Sequence, residues 1–299
     1  MSKLKVTVLM GGPDAEREIS IQSGNAIARA LEQSKLYSVT SKIIEQVQID
    51  DLHNMQTDIF FPALHGPWGE GGPLQELLEQ SGIPFVGSCS FASRNAMDKV
   101  KTKEIAEDIG IQTPAWTLLT KDQPCDLNAP IVLKPVSDGS SIDTEICRTE
   151  SDITTARERL HANRELLLAE TYVDGREITV GIIDGKPLPI IEIIPPKDIH
   201  TYDYAAKYER SDTQFILNPE LPPNDCIESA LLIYRTMYIQ DIARVDFIID
   251  DQGVWFLELN TMPGFTDHSL VPMAARHIGL NMTTLCTSLV EVAATRLVK

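Results

Sequence analysis

The chain has 299 residues, 43% of them hydrophobic and 23% charged, and its 43 acidic against 26 basic side chains give a formal net charge of −17. This length fits two or three compact units with clefts between them, while the charge argues against nucleic acid or an anionic membrane as the main partner. No apolar run reaches the ~18 residues that a membrane span needs, and the N-terminus lacks the pattern of a signal peptide, so we expect a cytoplasmic protein.

Strands and helices alternate through the first 94 residues. The β-branched segment "KLKVTVLMGG" predicts a strand that ends in glycines, and "EISIQSGNAIARALEQS" has the apolar spacing of a helix. The strand "DIFFPAL" and the helix "PLQELLEQSG" repeat this order. The alternation predicts a parallel sheet, and ligands of such sheets gather at the carboxyl ends of the strands. Two polar, glycine-rich segments lie at those ends, "MGGPDAERE" and "LHGPWGEGG".

The pattern changes near residue 95. A lysine-rich helix, "MDKVKTKEIAEDIG", and the strands "APIVLKP" and "LLLAETYV" predict a small α+β unit up to residue 176. Beyond it, two segments with glycine-containing turns predict β-hairpins, "EITVGIIDGKPLPIIEII" and "ARVDFIIDDQGVWFLELN". The tyrosine-rich segment "TYDYAAKYERSDTQF" lies between the hairpins and is too polar to be core.

The second hairpin carries the strongest chemical signal. A turn at Asp251-Gln252-Gly253, with Gly253 at positive φ, would place Asp246 opposite Glu258 and Arg244 opposite Asn260. Side chains alternate along a strand, so these polar residues would share one face. The other face would be apolar and contain Val245, Phe247, Ile249, Trp255, Leu257 and Leu259.

The polar face of this hairpin favours a bound cation. Two carboxylates and the Asn260 amide oxygen form an oxygen-only ligand set, which prefers Mg²⁺ or Mn²⁺ to zinc, with water and substrate phosphates as the remaining ligands. The alternative is a solvated strand face on which Arg244 pairs with a carboxylate.

Two lysines and a serine-glycine turn indicate where phosphate groups would bind. Lys134 ends the strand "IVLK" and Lys99 lies in "MDKVK", positions at which a buried lysine favours a nearby anion. The turn "SDGSS", which includes Ser140 and Ser141, offers hydroxyl and backbone N–H groups to a phosphate. Turns of this composition are also common without any ligand.

The chain closely resembles the D-alanine–D-alanine ligases of the ATP-grasp superfamily. The resemblance extends from about Met10 to Arg276 and is carried, in chain order, by "GGPDAEREIS", "ALHGPWGEGG", "MDKVKTK", "IVLKPVSDGSS", "AETYVDGREITV", "YDYAAKY", "ARVDF" and "LELNTMPGFTDHSLVP". "GGPDAEREIS" and "ELNTMPGFTDHSLVP" are the most specific of these motifs.

The resemblance implies an α/β, three-domain ATP-grasp fold. An N-terminal parallel α/β domain (1–94) would precede two α+β domains that sandwich ATP, a central one (95–176) and a C-terminal one (177–299) with a substrate lid loop (199–216). The implied reaction joins two D-alanines through a D-alanyl phosphate, with ATP as co-substrate, for peptidoglycan precursor synthesis. A homodimer is also implied, with D-alanine and ATP as its small-molecule partners.

Site roles follow from the resemblance, motif by motif. Two Mg²⁺ (or Mn²⁺) ions would be bound by Asp246, Glu258 and Asn260. ATP would contact Lys99, Lys134, Ser141, Glu170, Tyr172, Val173, Glu177 and Lys207. The ammonium group of the first D-alanine would lie at Glu16 and His65, and the carboxylate of the second at Ser269 and Leu270. Arg244 and the Gly264 N–H would stabilise the oxyanion, and a hydrogen-bonded chain would connect Glu16, Ser140 and Tyr208.

Several of these residues also have structural interpretations. Glu16 could complement a helix dipole, His65 could be a structural histidine, Glu177 could be a strand-edge charge, and Ser269 could cap a turn. The chain also departs from the family pattern. Gly71 stands where relatives have Asp, Asp143 where they have glycine, and Thr171 where many have Lys.

The sequence is also compatible with two other functions. The same fold could make D-alanyl-D-lactate or D-alanyl-D-serine, although relatives that form the ester typically carry Phe at the position of Tyr208. A regulator that binds ATP without turnover is the second alternative, which the departures at Gly71 and Asp143 bring into consideration.

Overall fold

The computed structural model describes residues 3–196, 210, 212–220 and 226–297. Its first sheet contains three parallel strands in the order β2-β1-β3. The strands are β1 (Leu4–Gly11), β2 (Tyr37–Ile44) and β3 (Ile59–Pro62), and the helices of this part are α1 (Arg17–Ser34), α2 (Ile49–Asn54), α3 (Gly66–Gly69), α4 (Pro73–Ser81) and α5 (Ser90–Met97).

The parallel sheet confirms the prediction from the alternating strands and helices. β1 and β3 run side by side, with Leu9 opposite Pro62, so the two glycine-rich segments that follow them meet at one edge. The Asp14 carboxylate accepts hydrogen bonds from the backbone N–H groups of Trp68 (2.9 Å) and Gly69 (3.2 Å) and thereby joins the two segments. Strand β2 was not predicted, because it is an edge strand whose side chains are mostly exposed and carry no clear alternation.

The second sheet has four antiparallel strands in the order β4-β7-β5-β6. Helices and antiparallel strands thus occur together in this part of the chain, in agreement with the predicted α+β character. The elements are α6 (Lys99–Asp108), β4 (Trp116–Leu119), β5 (Ile131–Pro135), β6 (Glu145–Cys147), α7 (Glu150–Leu160) and β7 (Leu167–Thr171).

The third sheet is antiparallel, and the described residues give it six strands. Five of them follow the order β11-β10-β8-β12-β13, and β9 pairs with β8. The elements are β8 (Arg176–Ile183), β9 (Lys186–Pro187), β10 (Ile191–Ile194), β11 (Gln214–Leu217), α8 (Cys226–Thr236), β12 (Ile242–Asp250), β13 (Gly253–Asn260), α9 (Leu270–His277) and α10 (Met282–Ala294).

The largest core joins the first sheet to the end of the chain. Val8 and Phe61 of the first sheet, both 0% exposed, belong to the same buried cluster as Leu289 of α10. Phe61 also stacks edge-on against Phe265, with ring centroids 5.7 Å apart. This shared core fixes the carboxyl edge of the first sheet against the loop that precedes α9. Within the described residues, no helix combines the length and hydropathy needed to cross a bilayer.

The β12–β13 hairpin has the predicted register at its open end and a different one near its turn. Arg244 pairs with Asn260 and Asp246 with Glu258, as expected, but Phe247 pairs with Phe256 because a β-bulge intervenes after Asp246. The predicted apolar face was therefore wrong in part. Phe256 is the buried residue (0% exposed), and Leu257 faces a cleft on the other side.

Candidate active site

Two clefts meet at the polar face of the β12–β13 hairpin. The first, called here the intersheet cleft, lies between the second and third sheets and encloses about 940 Å³ of open space. The second, called the loop cleft, lies at the carboxyl edge of the first sheet and includes Glu16, His65, Arg244, Gly264 and Ser269.

A hydrogen-bonded cluster around Asp246 forms the boundary between the clefts. Arg244 donates to the Asp246 carboxylate from Nε (3.0 Å) and Nη2 (2.8 Å), and Thr179 of the neighbouring strand β8 donates to Oδ1 (2.6 Å). Asn260 donates from Nδ2 to Asp246 Oδ2 (3.2 Å), and Lys99 Nζ lies 3.8 Å from the Glu258 carboxylate. The Arg244–carboxylate pair of the structural alternative is therefore present, on the same face as the predicted ligand set.

The donor atoms of this face fit a magnesium-type cation. Asp246 of β12 and Glu258 of β13 are directly paired across the hairpin, and Asn260 lies two residues after Glu258 in β13. In the described part of the chain, no group of three or more His, Cys, Asp and Glu side chains is placed to bind a metal ion. An ion here would therefore depend on the amide oxygen of Asn260, on water and on phosphate oxygens, which is the usual environment of Mg²⁺.

A buried charge cluster lies beside the same face. Glu170 of β7 (2% exposed) contacts the ammonium groups of both Lys134 and Lys103. Although burial alone would raise the pKa of Glu170, Lys134 and Lys103 lower it overall, so the carboxylate is charged. Lys103 was not predicted as a site residue, yet its side chain is fully buried and also donates to Thr113 Oγ1.

The remaining residues predicted to contact ATP surround the intersheet cleft. Ser141, Tyr172, Val173 and Glu177 line it together with Lys99, Lys134 and Glu170, so the structure brings together every one of these residues that it describes. The Arg148 guanidinium lies 5.4 Å from the centre of the Tyr172 ring. Apolar walls from both sheets complete the cleft, with Val132 and Ile146 on one side and Ile248 and Leu257 on the other.

The loop cleft contains a buried acidic group at its base. Glu16 is 6% exposed and accepts a hydrogen bond from the Ser140 hydroxyl at Oε1. Glu70, 7% exposed, accepts from the Gly66 N–H (3.1 Å) and lies 4.0 Å from the His65 ring. Burial and the nearby Glu16 carboxylate raise the pKa of Glu70 to about 8. Glu70 lies in the motif "ALHGPWGEGG", but no pattern in a single sequence indicates that its side chain is buried.

His65 can act as a neutral hydrogen-bonding group in the loop cleft. Burial, with a smaller effect of Arg244, lowers its pKa to about 4, so the ring is uncharged near neutral pH. Its Nε2 atom is buried and has no hydrogen-bond partner among the described residues. Such an orphaned polar atom inside a cleft is a natural contact for a ligand.

The far end of the loop cleft is formed by the segment before α9. Ser269 precedes α9, and its hydroxyl accepts from the Thr266 N–H (3.0 Å), so the turn-capping interpretation holds. A Cβ atom at Gly264 would lie 2.8 Å from Ser269 Oγ, so a larger residue there would have to displace the Ser269 hydroxyl. Gly264, Ser269 and Leu270 all line the cleft near Arg244.

Two predicted site residues, Lys207 and Tyr208, lie outside the described residues, as does most of the proposed lid. The Ser140–Glu16 hydrogen bond, the first part of the predicted chain to Tyr208, is present.

The departure at position 71 has a geometric reason. A Cβ atom at Gly71 would lie 2.4 Å from the Pro67 carbonyl oxygen, so this loop conformation has no room for an aspartate. The loop is instead held by Gln75, whose Oε1 accepts from the Gly72 N–H (3.0 Å) and whose Nε2 donates to the Gly69 carbonyl (2.9 Å).

Two antiparallel sheets that face each other across a cleft with lysines and paired carboxylates, beside a parallel α/β unit, define an ATP-grasp protein. A family model described as the D-ala D-ala ligase C-terminus matches residues 105–291, and one described as the D-ala D-ala ligase N-terminus matches residues 45–88. The D-alanine–D-alanine ligase of Syntrophotalea carbinolica is 37% identical over 302 aligned residues, which cover 99% of this chain and 98% of that protein.

Solved structures give the same result. The D-alanine–D-alanine ligase of Bacillus anthracis superposes with a TM-score of 0.86 at 32% identity, over 98% of both chains. The same enzyme complexed with ATP gives a TM-score of 0.82 at 31% identity, again over 98% of both chains. The chain belongs to the D-alanine–D-alanine ligase family.

Proposed function

We propose that this protein is an ATP-dependent ligase that joins two D-alanines to D-alanyl-D-alanine, with ADP and phosphate as the other products. The observation that carries this proposal is the meeting of the two clefts at Arg244, Asp246 and Glu258. A nucleotide in the intersheet cleft would direct its terminal phosphate toward an amino acid in the loop cleft. Family membership supports the same reaction.

ATP would lie in the intersheet cleft with its base between the apolar walls of the two sheets. Tyr172 and Val173 would border the base near Glu170, and Glu177 would accept hydrogen bonds from the ribose hydroxyls. Lys99 and Lys134 would offset the phosphate charges, with Lys207 as a third such residue. Ser141 would contribute to the loop that covers the phosphates.

Asp246, Glu258 and Asn260 would hold two Mg²⁺ or Mn²⁺ ions. When bound, the ions would neutralise charge on the phosphate groups during transfer. The side chains of this chain supply the rest of the site. Lys99 adds positive charge next to Glu258, and Thr179 fixes the orientation of the Asp246 carboxylate.

The first D-alanine would bind in the loop cleft with its ammonium group at Glu16 and His65. Its carboxylate oxygen would attack the terminal phosphorus of ATP, so that the bond to ADP breaks and D-alanyl phosphate forms. A carboxylate is a poor electrophile, and its conversion to an acyl phosphate divides a difficult condensation into two easier steps.

The second D-alanine would bind with its carboxylate near Ser269 and Leu270. Its amine, after loss of a proton, would attack the acyl carbon, and phosphate would leave with the electrons of the broken C–O bond. Arg244 and the Gly264 N–H would stabilise the oxyanion of the tetrahedral intermediate. The lid (199–216) would exclude water, with Tyr208 joined through Ser140 to Glu16.

Product identification tests this proposal. Purified protein is incubated with ATP, Mg²⁺ and an equimolar mixture of D-alanine, D-serine and D-lactate, and products are identified by mass spectrometry. We expect D-alanyl-D-alanine as the main product, together with ADP and phosphate. An ester or a mixed dipeptide as the main product would establish a different specificity, and ATP binding without ADP release would indicate a regulator.

The Tyr208→Phe variant tests the proposed role of the lid. Because its hydroxyl would complete the chain to Glu16, its loss should reduce dipeptide formation and permit some use of D-lactate. Competition between D-alanine and D-lactate over a pH series measures this change. Unchanged rate and selectivity would remove Tyr208 from the proposed role.

The wider context follows from the family resemblance. We propose three domains (1–94, 95–176 and 177–299), a homodimer, and a cytoplasmic role in peptidoglycan precursor synthesis. Sedimentation of the purified protein tests the dimer.

A further inference from the structure

The loop formed by residues 138–143 borders both clefts and has an unusual backbone. Its residues Asp138 and Ser141 line the intersheet cleft, whereas Gly139 and Ser140 line the loop cleft. Three of its non-glycine residues have positive φ, namely Ser140 (52°), Ser141 (55°) and Asp143 (56°). Residues with side chains rarely adopt this conformation unless their surroundings impose it.

On the side that faces the two clefts, the loop contacts one residue of each cleft. Lys99 Nζ donates to the Asp138 carbonyl oxygen (2.5 Å), and the Ser140 hydroxyl donates to Glu16. The loop therefore touches one residue proposed to contact the phosphates and one proposed to contact the first amino acid. Any movement of this loop would alter both parts of the site.

An arginine holds the same loop from its outer side. Arg164, in the turn between α7 and β7, pairs through Nη2 with the carboxylates of Asp138 and Asp143, the latter at 3.1 Å. The turn itself is fixed because His161 donates from Nδ1 to the Arg164 carbonyl (2.9 Å). The Arg164 and Asp138 side chains are only 32% and 19% exposed, so water screens this pair less than a fully exposed one.

The contact between Arg164 and Asp143 involves a position at which this chain departs from its relatives. Relatives usually have glycine at this position. Glycine adopts positive φ without strain, whereas an aspartate does so at a cost. In this chain the strained residue also carries the carboxylate that Arg164 contacts. Where relatives have glycine, this chain thus has an aspartate, and an ion pair with Arg164 holds that aspartate in place.

We propose that Arg164 is a positioning residue that, through Asp138 and Asp143, holds the 138–143 loop in the conformation that receives the phosphates of ATP. This inference rests on the proposed function, because it assigns the phosphates to the intersheet cleft. Arg164 acts from outside the cleft and touches no reacting atom. Its effect should therefore fall on nucleotide binding rather than on the chemical step or on D-alanine binding.

The test compares Arg164→Gln, Asp143→Asn and the double variant with the natural protein. Asparagine keeps the shape of aspartate and tolerates positive φ, so Asp143→Asn removes mainly the charge. We expect each single variant to raise the KM for ATP by about twofold to fivefold, with less change in kcat and in the KM for D-alanine. The double variant should be no worse than Arg164→Gln alone, because Arg164→Gln already removes the ion pair with Asp143.

Arg157→Gln is the matched control. Arg157 lies in α7 and donates to the Thr120 (3.1 Å) and Lys121 (3.3 Å) carbonyls, away from both clefts, so its loss should lower the melting temperature but leave the KM for ATP unchanged. Arg164→Lys, which keeps the charge but not the planar donor group, should recover part of the affinity.

Calorimetric titration with ADP and Mg²⁺ separates this inference from the proposed function. If the natural protein forms no dipeptide, the proposed function fails, and ADP affinity still tests the role of Arg164. ADP affinity and KM equal to those of the Arg157→Gln control, or additive effects of the two single changes, would overturn the inference.

Discussion

Glu70 and His65 show how burial sets the charge of the loop cleft. His65 is neutral because its pKa is lowered to about 4, and Glu70 retains a proton near neutral pH because its pKa is raised to about 8. Glu16 can then attract an ammonium group without a second full negative charge beside it. The neutral ring of His65 can accept a hydrogen bond from the same group.

The raised pKa of Glu70 predicts a pH-dependent stability. A carboxyl group that binds its proton more tightly in the folded protein stabilises it fully below the unfolded pKa of about 4.5, and this contribution is lost as the pH rises through about 8. The melting temperature of the natural protein should therefore fall between pH 5 and 9 more steeply than that of Glu70→Gln. Differential scanning fluorimetry over this range measures the difference.

Glu158→Gln is the control for this comparison, because it removes an exposed carboxylate from α7. It should keep the pH profile of the natural protein. Identical profiles for Glu70→Gln and the natural protein would contradict a shifted Glu70.

The residues proposed to bind the metal ions and the oxyanion could be predicted from the sequence, whereas the residue that orients Asp246 could not. Arg244, Asp246, Glu258 and Asn260 could be placed on one face because strand alternation determines the face of each residue. Thr179 could not be found in this way. Its contact with Asp246 depends on the pairing of β8 with β12. Because the two residues are 67 positions apart, no local pattern indicates the contact.

Helix α6 shows how one element supplies two buried lysines. The Asp98 side chain accepts from the Val100 (3.0 Å) and Lys101 (3.1 Å) N–H groups and so fixes the start of the helix. Lys99 then lies at the first position and Lys103 one turn later, on the same face. Both point inward, with 7% and 0% exposure.

The Lys103→Met variant tests the structural importance of this arrangement. Methionine keeps most of the apolar stem but leaves Glu170 with Lys134 alone, so the buried carboxylate loses half of its compensating charge. We expect a loss of about 1–3 kcal/mol in the free energy of unfolding. ATP binding should also weaken, because Lys134 must then offset the Glu170 carboxylate without Lys103. Thermal unfolding and ADP titration measure the two effects.

Lys101→Met on the exposed side of α6 is the control. Its side chain is 51% exposed and pairs with Glu104, and such a surface pair contributes little to stability. If Lys103→Met were as stable as Lys101→Met and bound ADP as tightly, the buried cluster would have no such importance.

The β12–β13 hairpin shows where prediction from one sequence fails at the level of an element. Alternation predicted the correct pairs at the open end, but the actual turn spans Asp251 and Gln252, with Asp250 opposite Gly253. The bulge after Asp246 absorbs this one-residue difference. The bulge depends on tertiary packing, because it buries Phe256 in one core with Ala96 of α5 and Ala106 of α6, and the local pattern contains no signal for this packing.

At the scale of the whole molecule, the end of the chain connects the first and third sheets. Arg296 donates to both oxygens of the Asp241 carboxylate (2.8 and 2.6 Å) and to the Phe85 carbonyl (2.6 Å). Asp241 also accepts from the Gly87 N–H (2.7 Å), and its side chain is only 1% exposed. This network fixes the segment after β3 relative to the start of β12 and thereby the distance between the two sides of the loop cleft.

The Arg296→Met variant should destabilise the whole protein, because it leaves a buried carboxylate without its cation. We expect a loss of about 3–5 kcal/mol in the free energy of unfolding, measured by thermal unfolding. Lys186→Met, at a side chain that is 83% exposed and 3.8 Å from Asp184, is the control and should change stability little. Equal melting temperatures for the two variants would contradict the proposed connection.

In the proposed reaction, the carboxylate of the first D-alanine is phosphorylated before the peptide bond forms. Transfer of oxygen from D-alanine labelled with ¹⁸O in its carboxylate, followed by mass spectrometry of the released phosphate, tests it most directly. We expect each phosphate released with a dipeptide to contain one ¹⁸O atom, because the carboxylate oxygen that attacks ATP leaves with the phosphoryl group. Dipeptide formation with unlabelled phosphate, or with AMP and pyrophosphate as products, would contradict it.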